Sequence, residues 1–241
     1  MAEDRSPFFL DRVSFTYPGA ETKILDDFSF SCDPAGIVVI LGPSGSGKTT
    51  LVHRLAQGVR AGVMYQEPRL IPWYTVEQNL TFALGTQEGV DELLAMVGLQ
   101  GTGRAFPDQL SGGQRQRVSM ARAFGFPCDG LLLDEPFQGL DVVLRYELIY
   151  LLLDLRRKRP LPIIAITHDP REAALLGTDI RVYTGPPLQE VGRVAGNPRG
   201  PGVMDERTLK IESSILELLG TTSPPGEDAN RTEETKSVAK I

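Results

Sequence analysis

Residues 37 to 41 read Ile-Val-Val-Ile-Leu, and they run directly into Gly42-Pro43-Ser44-Gly45-Ser46-Gly47-Lys48-Thr49. The first five residues are uniformly apolar and mostly β-branched, which is typical of a central parallel strand covered on both faces. The next eight match the pattern Gly-x-x-x-x-Gly-Lys-[Ser/Thr], and a helix is predicted from Lys48 to Gln57. Together they predict an α/β domain whose glycine-rich loop binds the phosphates of a nucleoside triphosphate.

Each residue type in this loop has a chemical reason. Backbone amides of a glycine-rich turn surround the α- and β-phosphates, a lysine reaches the β- and γ-phosphates, and the following hydroxyl binds Mg²⁺. These roles fall on Lys48 and Thr49, and Thr50 completes the expected binding segment.

Two acids follow a second buried strand, Leu131-Leu132-Leu133. Asp134 and Glu135 would therefore lie at the carboxyl edge of the sheet, where α/β proteins bind ligands. The first acid is suited to hold Mg²⁺ through water, and the second to polarise an attacking water. The alternative is that they only cap a turn or a helix.

A third apolar strand, Ile163 to Ile166, leads to Thr167-His168-Asp169 at the same edge. Pro170 then stands where a helix would begin after an aspartate cap. We expect His168 beside the phosphates. His53, inside the first helix, is interpreted as an ordinary surface or packing residue.

A second glycine motif, Leu110-Ser111-Gly112-Gly113-Gln114, precedes a predicted helix from Arg115 to Phe124. Its Ser-x-x-Gln spacing is that of a capping box, and a helix start of this kind can bind an anion. A plain helix cap remains an alternative. Because one loop already holds the triphosphate, the second indicates a site for a neighbour's nucleotide and hence a head-to-tail dimer.

Composition limits the function classes. The 241 residues, 41% of them hydrophobic, suffice for one large α/β domain or a core with an inserted lobe. A net charge of -6 argues against nucleic acid as a partner, and the basic run of residues 156 to 159 is interpreted as complementing a helix C-terminus. No leader, no long apolar run and two cysteines without metal spacing predict a soluble cytoplasmic chain that reaches a membrane only through another protein.

From about residue 8 to 219 the chain resembles the ATPase subunits of ATP-binding cassette (ABC) transporters. The motifs that carry the resemblance occur in the family's order. They are the glycine loop, Gln66 after Val63-Met64-Tyr65, the signature Leu110 to Gln114, Leu131 to Pro136, Phe137-Gln138-Gly139-Leu140-Asp141, and His168.

The resemblance implies a role for each motif residue, with ATP and Mg²⁺ as cofactors. Tyr17 would stack on adenine, although a core aromatic in line with Val13 and Phe15 is the alternative. The other implied roles are phosphate and Mg²⁺ binding by Lys48 and Thr49, sensing of metal and water by Gln66, general base by Glu135, γ-phosphate contact by His168, capping of the partner's ATP by Ser111, Gly112 and Gly113, and a place at the dimer seam for Asp141.

Finer resemblance lies in residues 66 to 73, Gln-Glu-Pro-Arg-Leu-Ile-Pro-Trp, followed by Thr-Val-Glu-Gln-Asn-Leu at 75 to 80. These segments are similar to importers of nitrate, sulfonates, taurine and related anions. Thr75 and Gln78 form a capping box, so part of the motif starts a helix. The rest implies a groove for a permease helix at the cytoplasmic face of the membrane, with an extracytoplasmic substrate-binding protein as an indirect partner. A scaffold ATPase without a permease is the alternative.

The expected fold is an α/β P-loop NTPase (RecA-like) core with a mostly parallel sheet. The core is predicted at residues 8–69 and 128–219, a helical subdomain at 70–127, and a disordered tail at 220–241. Only residues 49 to 65 separate Lys48 from Gln66, which is short for the family and implies a reduced antiparallel β-subdomain. A loop is expected at 185–202 and a helix at 205–219 with Leu209, Ile215, Leu216 and Leu219 as its packing residues.

Overall fold

The computed structural model describes residues 6–197 and 199–221. Eight strands, seven α-helices and one 3₁₀ helix, Pro107–Gln109, follow one another along these residues. The strands are β1 Phe9–Phe15, β2 Leu25–Ser31, β3 Ile37–Leu41, β4 Ala61–Met64, β5 Gly130–Asp134, β6 Ile163–Ile166, β7 Asp179–Thr184 and β8 Gln189–Ala195. The helices are α1 Lys48–Leu55, α2 Val76–Leu84, α3 Val90–Met96, α4 Gly112–Gly125, α5 Val142–Lys158, α6 Pro170–Leu176 and α7 Glu206–Thr221.

The main sheet has six strands in the order β4-β5-β6-β3-β7-β8. Its first five strands are parallel, and β8 pairs antiparallel with β7 at one edge. Strands β1 and β2 form a separate antiparallel pair. The predicted mostly parallel α/β core with a reduced antiparallel subdomain is confirmed.

Strand β3 is central because both of its faces are covered. Ile37, Val39 and Leu41 belong to one buried apolar cluster, and Val38 and Ile40 belong to a second cluster on the other face. A strand buried on both faces must be apolar throughout, which accounts for the uniform composition from which it was predicted. The glycine loop therefore begins at the carboxyl end of the most enclosed strand.

Helices α2, α3 and α4 lie between β4 and β5 in the chain. Two of them begin with the predicted capping boxes. Thr75 Oγ1 accepts from the Gln78 amide at 3.2 Å, and Ser111 Oγ accepts from the Gln114 amide at 3.2 Å. In each box the glutamine side chain also accepts from the capping residue's own amide. These helices are the inserted helical subdomain of the predicted fold.

Several details differ from the sequence predictions. Strand β8 occupies part of the stretch that was expected to be a loop. Its residues are exposed or half-buried, so there was no strong apolar signal from which to predict it. On α7 the predicted packing residues Leu209 and Leu216 are exposed, while Ile215 is buried and Ile211 packs in their place. A helix turns its faces by about 100° per residue, so only part of the proposed set can face the core.

The ends of β1 and α7 also differ from the sequence predictions. Strand β1 ends at Phe15, so Tyr17 lies beyond it and is exposed. Helix α7 continues to Thr221, past the predicted start of the tail, and the rest of the predicted tail, 222–241, lies outside the described residues. Among the helices of the described residues, none has the length and apolar character needed to cross a membrane.

The basic run at the end of α5 has structural partners. Arg156 donates to the carbonyls of Ala35 and Leu161, and Arg159 donates to three carbonyls, those of Phe124, Phe126 and Cys128. These arginines therefore join the end of α5 to the residue pair before β3, to the connection before β6, and to the end of α4 with the segment that leads to β5.

Candidate nucleotide-binding site

The glycine loop forms one wall of a cavity of about 360 Å³ at the carboxyl edge of the main sheet. The loop leads from β3 into α1, and the free amides at the start of a helix stabilise an anion. The wall is shared by residues of the glycine loop, Tyr17 and the two acids at the end of β5. It comprises Tyr17, Ile24, Ser44, Gly45, Gly47, Lys48, Thr49, Thr50, Asp134, Glu135 and Ile166. The structure thus brings residues from distant parts of the sequence into one site.

Lys48 is the cation of this cavity and is only 8% exposed. Its ammonium donates to the carbonyl of Gly42 at 2.8 Å and to that of Pro43 at 2.7 Å. Burial lowers the pKa of Lys48, while the carboxylates of Glu135 and Asp134 act in the opposite direction. A buried ammonium with two acids nearby is suited to hold a phosphate and a metal in one place.

Two glycines of the loop are required by geometry. Gly42 has φ +155, and a Cβ there would lie 2.3 Å from the carbonyl oxygen of Tyr183. Gly47 has φ +107, and its Cβ would lie 2.7 Å from a methyl of Ile24. Both positions combine an unusual backbone angle with close neighbours, so the loop can follow this path only with glycine.

Asp134 and Glu135 end strand β5 in different surroundings. Burial raises the pKa of Asp134, and His53, Lys48 and Arg69 oppose that effect. Glu135 has a positive φ of 49, which a non-glycine residue adopts rarely and mostly at functional sites. Its carboxylate contacts Nδ1 of His168 at 2.8 Å. His168, which was predicted at this sheet edge beside the phosphates, therefore contacts Glu135.

Tyr17 borders the cavity and contacts two neighbouring side chains. The hydroxyl lies 2.9 Å from Oγ1 of Thr50, and the ring makes an edge-on contact with Phe15 at 4.8 Å between centroids. The side chain remains 47% exposed. It is not a core aromatic, so the alternative interpretation raised from its spacing is wrong.

The signature residues line a different cavity, of about 600 Å³. It lies between the start of α4 and the turn that leads into α5, and its wall comprises Ser111, Gly112, Gly113, Gln114, Arg117, Gly139, Leu140, Asp141, Val143, Leu144 and Glu147. Within the described residues, the wall of the glycine-loop cavity includes none of Ser111 to Gln114. Asp141 caps α5 by accepting from the amide of Leu144 at 3.0 Å.

Gln66 is exposed and follows β4, as predicted. Its side chain is not part of the glycine-loop cavity wall, but its carbonyl accepts a hydrogen bond at 3.0 Å from Gln116 of helix α4. Gln116 was missed from the sequence. The available signal was its place on the same helical face as buried Met120 and Phe124, where a polar side chain requires partners.

A groove of about 400 Å³ is lined by residues of β4, α2 and α4. Arg69, Ile71, Phe82 and Phe126 contribute to its wall, and Phe82 is 69% exposed. Trp73, in the turn before α2, is 74% exposed. Large exposed aromatic residues beside an apolar groove are typical of a protein contact surface.

A buried lysine in a glycine loop between a strand and a helix, with two acids at the end of β5 on the far side of β6, defines a P-loop nucleoside triphosphatase. The family model described as ABC transporter matches residues 25–61 and 54–138. The taurine import ATP-binding protein TauB of Pseudomonas putida (strain KT2440) is 36% identical over 237 residues, which cover 86% of this chain and 90% of that protein. The aliphatic sulfonates import ATP-binding protein SsuB of Bacillus subtilis (strain 168) is 36% identical over 198 residues, 72% of this chain and 78% of that protein.

Among solved structures, a dimeric post-hydrolysis state of the ATP-binding cassette MJ0796 bound to ADP and Pi superposes with a TM-score of 0.66 and 25% identity. The match covers 78% of this chain and 98% of that one. An inward-facing putative metal-chelate type ABC transporter has the same fold, with a TM-score of 0.65 and 22% identity over 86% of this chain and 88% of that one. The chain belongs to the ATP-binding cassette (ABC) transporter family, and it is an ATPase.

Proposed function

We propose that this chain is the ATP-hydrolysing subunit of an importer for a small anionic solute such as a sulfonate, taurine or nitrate. Two copies, or this chain and a paired cassette, would bind two ATP molecules between them and drive a membrane-embedded permease. The relatives named for taurine and aliphatic sulfonate import support the solute class. The chain would then lie at the cytoplasmic face of the membrane through its permease, with a substrate-binding protein on the other side.

The observation that carries the dimer part of this proposal is the separation of two incomplete cavities. One contains Lys48 and the acids, and the other contains the signature glycines. A head-to-tail dimer would place the glycine loop of one copy against Ser111 to Gln114 of the other. Val142 and Val143, exposed at 65% and 69% beside the signature cavity, would become buried there.

The residues of the glycine-loop cavity suit ATP and Mg²⁺. Thr49 and Asp134 contribute oxygen ligands of the kind that Mg²⁺ prefers, with Gln66 at the end of the neighbouring strand β4. Bound Mg²⁺ would neutralise charge on the phosphates. Lys48 would bind the β- and γ-phosphates, Glu135 would accept a proton from the attacking water, and His168 would contact the γ-phosphate.

The dimer is tested by blocking the signature. In an E135Q background, where hydrolysis is slowed, ATP should convert the protein from monomer to dimer in light scattering. Adding S111R should weaken that dimer by about tenfold or more while each monomer still binds ATP, because a bulky cation would occupy the partner's nucleotide position. An E135Q protein that remains monomeric with saturating ATP at high concentration would contradict the proposal.

The permease contact is proposed to include residues 67 to 85. Phe82 lines the groove of β4, α2 and α4 and is exposed, and Trp73 is exposed in the turn before α2. Leu70 is half-buried in the connection between β4 and α2. Glu77 lies in the first turn of α2. We infer that this surface transmits the change in the nucleotide sites to the permease.

The test compares transport with hydrolysis. W73A should leave ATP hydrolysis by the isolated subunit within about twofold, because changes to exposed side chains rarely affect a distant site. Leu70 and Glu77 are half-buried, so L70A and E77A are assayed well below their measured Tm, where hydrolysis should also stay within about twofold. Each should abolish uptake of taurine or a sulfonate in cells that carry the cognate permease. V191A, which alters an exposed side chain on β8, is the matched control and should leave both intact. Normal uptake by all three variants would exclude this surface.

A further inference from the structure

Gln116 connects three functional parts of the chain from a buried position. It lies in α4, five residues after Ser111, and is 3% exposed. Its Nε2 donates to the carbonyl of Gln66 at 3.0 Å and to the carbonyl of Pro136 at 3.2 Å. Pro136 directly follows Glu135, so one amide group contacts both the Gln66 loop and the loop of the proposed general base.

The chemistry of the two partners fixes the orientation of this amide. Both are carbonyl acceptors, so the NH₂ end of Gln116 must face them and its oxygen must face away. That oxygen is buried, and no hydrogen-bond partner for it exists among the described residues. A buried polar group with an unsatisfied atom reduces stability, so packing alone does not account for a glutamine here.

Helix α4 holds the Gln66 loop at a second point. Arg122 donates to the carbonyl of Pro68 at 2.8 Å and to that of Arg69 at 2.7 Å. Arg69 has a positive φ of 45, so the loop is fixed here in an uncommon conformation. Both ends of the segment 66–69 are therefore bonded to the helix that begins with the signature. Only the Gln116 contact also includes the loop after β5.

We propose that Gln116 is a positioning residue that couples the signature helix to Gln66 and Glu135. When the partner's nucleotide binds at Ser111 to Gln114 and shifts α4, the Gln116 amide moves the loops of Gln66 and Pro136 with it. This movement places Glu135 where it can accept the proton of the attacking water. The inference rests on the proposed head-to-tail ATPase. It adds a route by which closure at one cavity reaches the catalytic group of the other cavity in the same chain.

The experiment replaces Gln116 by leucine, which has a similar size and no donor, and by methionine as a second variant with softer packing. S119A is the matched control. Ser119 is buried on the same helix, and its hydroxyl likewise has no partner among the described residues. Each full-length protein is assayed for thermal unfolding, ATP binding and steady-state hydrolysis. ATP-driven dimerisation is measured after adding E135Q to each.

We expect Q116L and Q116M to lower kcat by about tenfold or more, because a small misplacement of a catalytic group can cost up to about a hundredfold. KM, ATP affinity and dimerisation should stay within about twofold, since the glycine loop and the signature are intact. S119A should match the wild type. If one Gln116 variant does not fold, the other decides the outcome.

Two results would overturn this inference. One is a folded Gln116 variant with a kcat close to that of the wild type. The other is a kcat loss accompanied by an equal loss of ATP binding or dimerisation, which would indicate general damage to the fold. An E135Q protein with Gln116 intact that never dimerises with ATP would refute the proposed function itself. Failure of the proposed function is therefore distinguishable from failure of the Gln116 inference.

Discussion

The helices α1 and α4 both begin at a glycine motif, yet their first turns are built differently. Helix α1 starts after Gly47, which offers no side-chain cap, and the cavity there contains Lys48 and two acids. Helix α4 starts after Ser111, whose side chain and that of Gln114 satisfy each other's amides. The first motif carries charged groups that can perform chemistry, whereas the second is stable by itself and offers shape and a helix dipole. Each site therefore lacks what the other has.

The largest expected effect is a loss of ATP turnover at the glycine-loop cavity. E135Q should reduce turnover by about a hundredfold or more, the usual scale for loss of a positioned base, while ATP binding persists. The measurement is steady-state phosphate release together with equilibrium binding of ATP. E206Q changes an exposed glutamate on α7 and serves as control. Turnover of E135Q near the wild-type value would remove Glu135 from the mechanism.

Gly42 and Gly112, one from each glycine motif, should respond differently to an added methyl group. In G42A the new Cβ would collide with the Tyr183 carbonyl, so we expect a loss of about 2 to 4 kcal/mol in the free energy of unfolding. In G112A the nearest atom is 4.0 Å away, so stability should change by less than about 1 kcal/mol. Urea unfolding measures both. Equal destabilisation by the two changes would contradict the difference described above.

Substitution of Tyr17 should have a smaller effect, on ATP affinity at the glycine-loop cavity. Y17A should weaken ATP binding by about tenfold, because stacking of an aromatic ring on a base contributes about 1 to 3 kcal/mol. Y17F keeps the ring and loses only the contact between the hydroxyl and Thr50, so its ATP affinity should stay within about twofold. Titration with a fluorescent ATP analogue compares them. Similar weakening by both variants would assign the effect to the hydroxyl instead of the ring.

The smallest expected effect is on stability against pH. Burial raises the pKa of Asp134, so ionising this carboxyl opposes folding at pH values above its folded pKa. D134N should therefore raise the Tm of the nucleotide-free protein slightly at pH 8, and the difference should shrink as the pH falls through that pKa. The same variant should lose Mg²⁺-dependent hydrolysis. A lower Tm for D134N at pH 8, with no pH dependence of the difference, would contradict this electrostatic interpretation.

Much of the fold was predictable because its strongest signals are local. Strands β3, β5 and β6 are continuous apolar runs, and the starts of α2, α4 and α6 have capping residues at fixed spacing. Strand β8 could not be identified, since an edge strand with mostly polar, partly exposed residues has little apolar periodicity. The exposed leucines of α7 show the same limit, because spacing does not reveal which helix face meets the core.

The candidate site was predictable to the extent that its chemistry lies in contiguous motifs. Lys48, Asp134 and Glu135 could be placed at one sheet edge because parallel strands share a carboxyl end. The Gln116 contacts could not be predicted, since they join residues 50 and 20 positions apart through backbone carbonyls that have no sequence signature. The hydrogen bond between Tyr17 and Thr50 is likewise a product of the fold.

The hydrogen bonds of Lys48 have a thermodynamic consequence. Because its ammonium already donates two of its three hydrogens to the carbonyls of Gly42 and Pro43, a phosphate can accept the third, and any further lysine–phosphate hydrogen bond must exchange one of these partners. The heat released on nucleotide binding then reports a difference between two bonded arrangements. When a carbonyl is displaced, calorimetry would register a smaller binding enthalpy than the lysine–phosphate pair alone implies. The difference would be the enthalpy of breaking the hydrogen bond between Lys48 and its own loop.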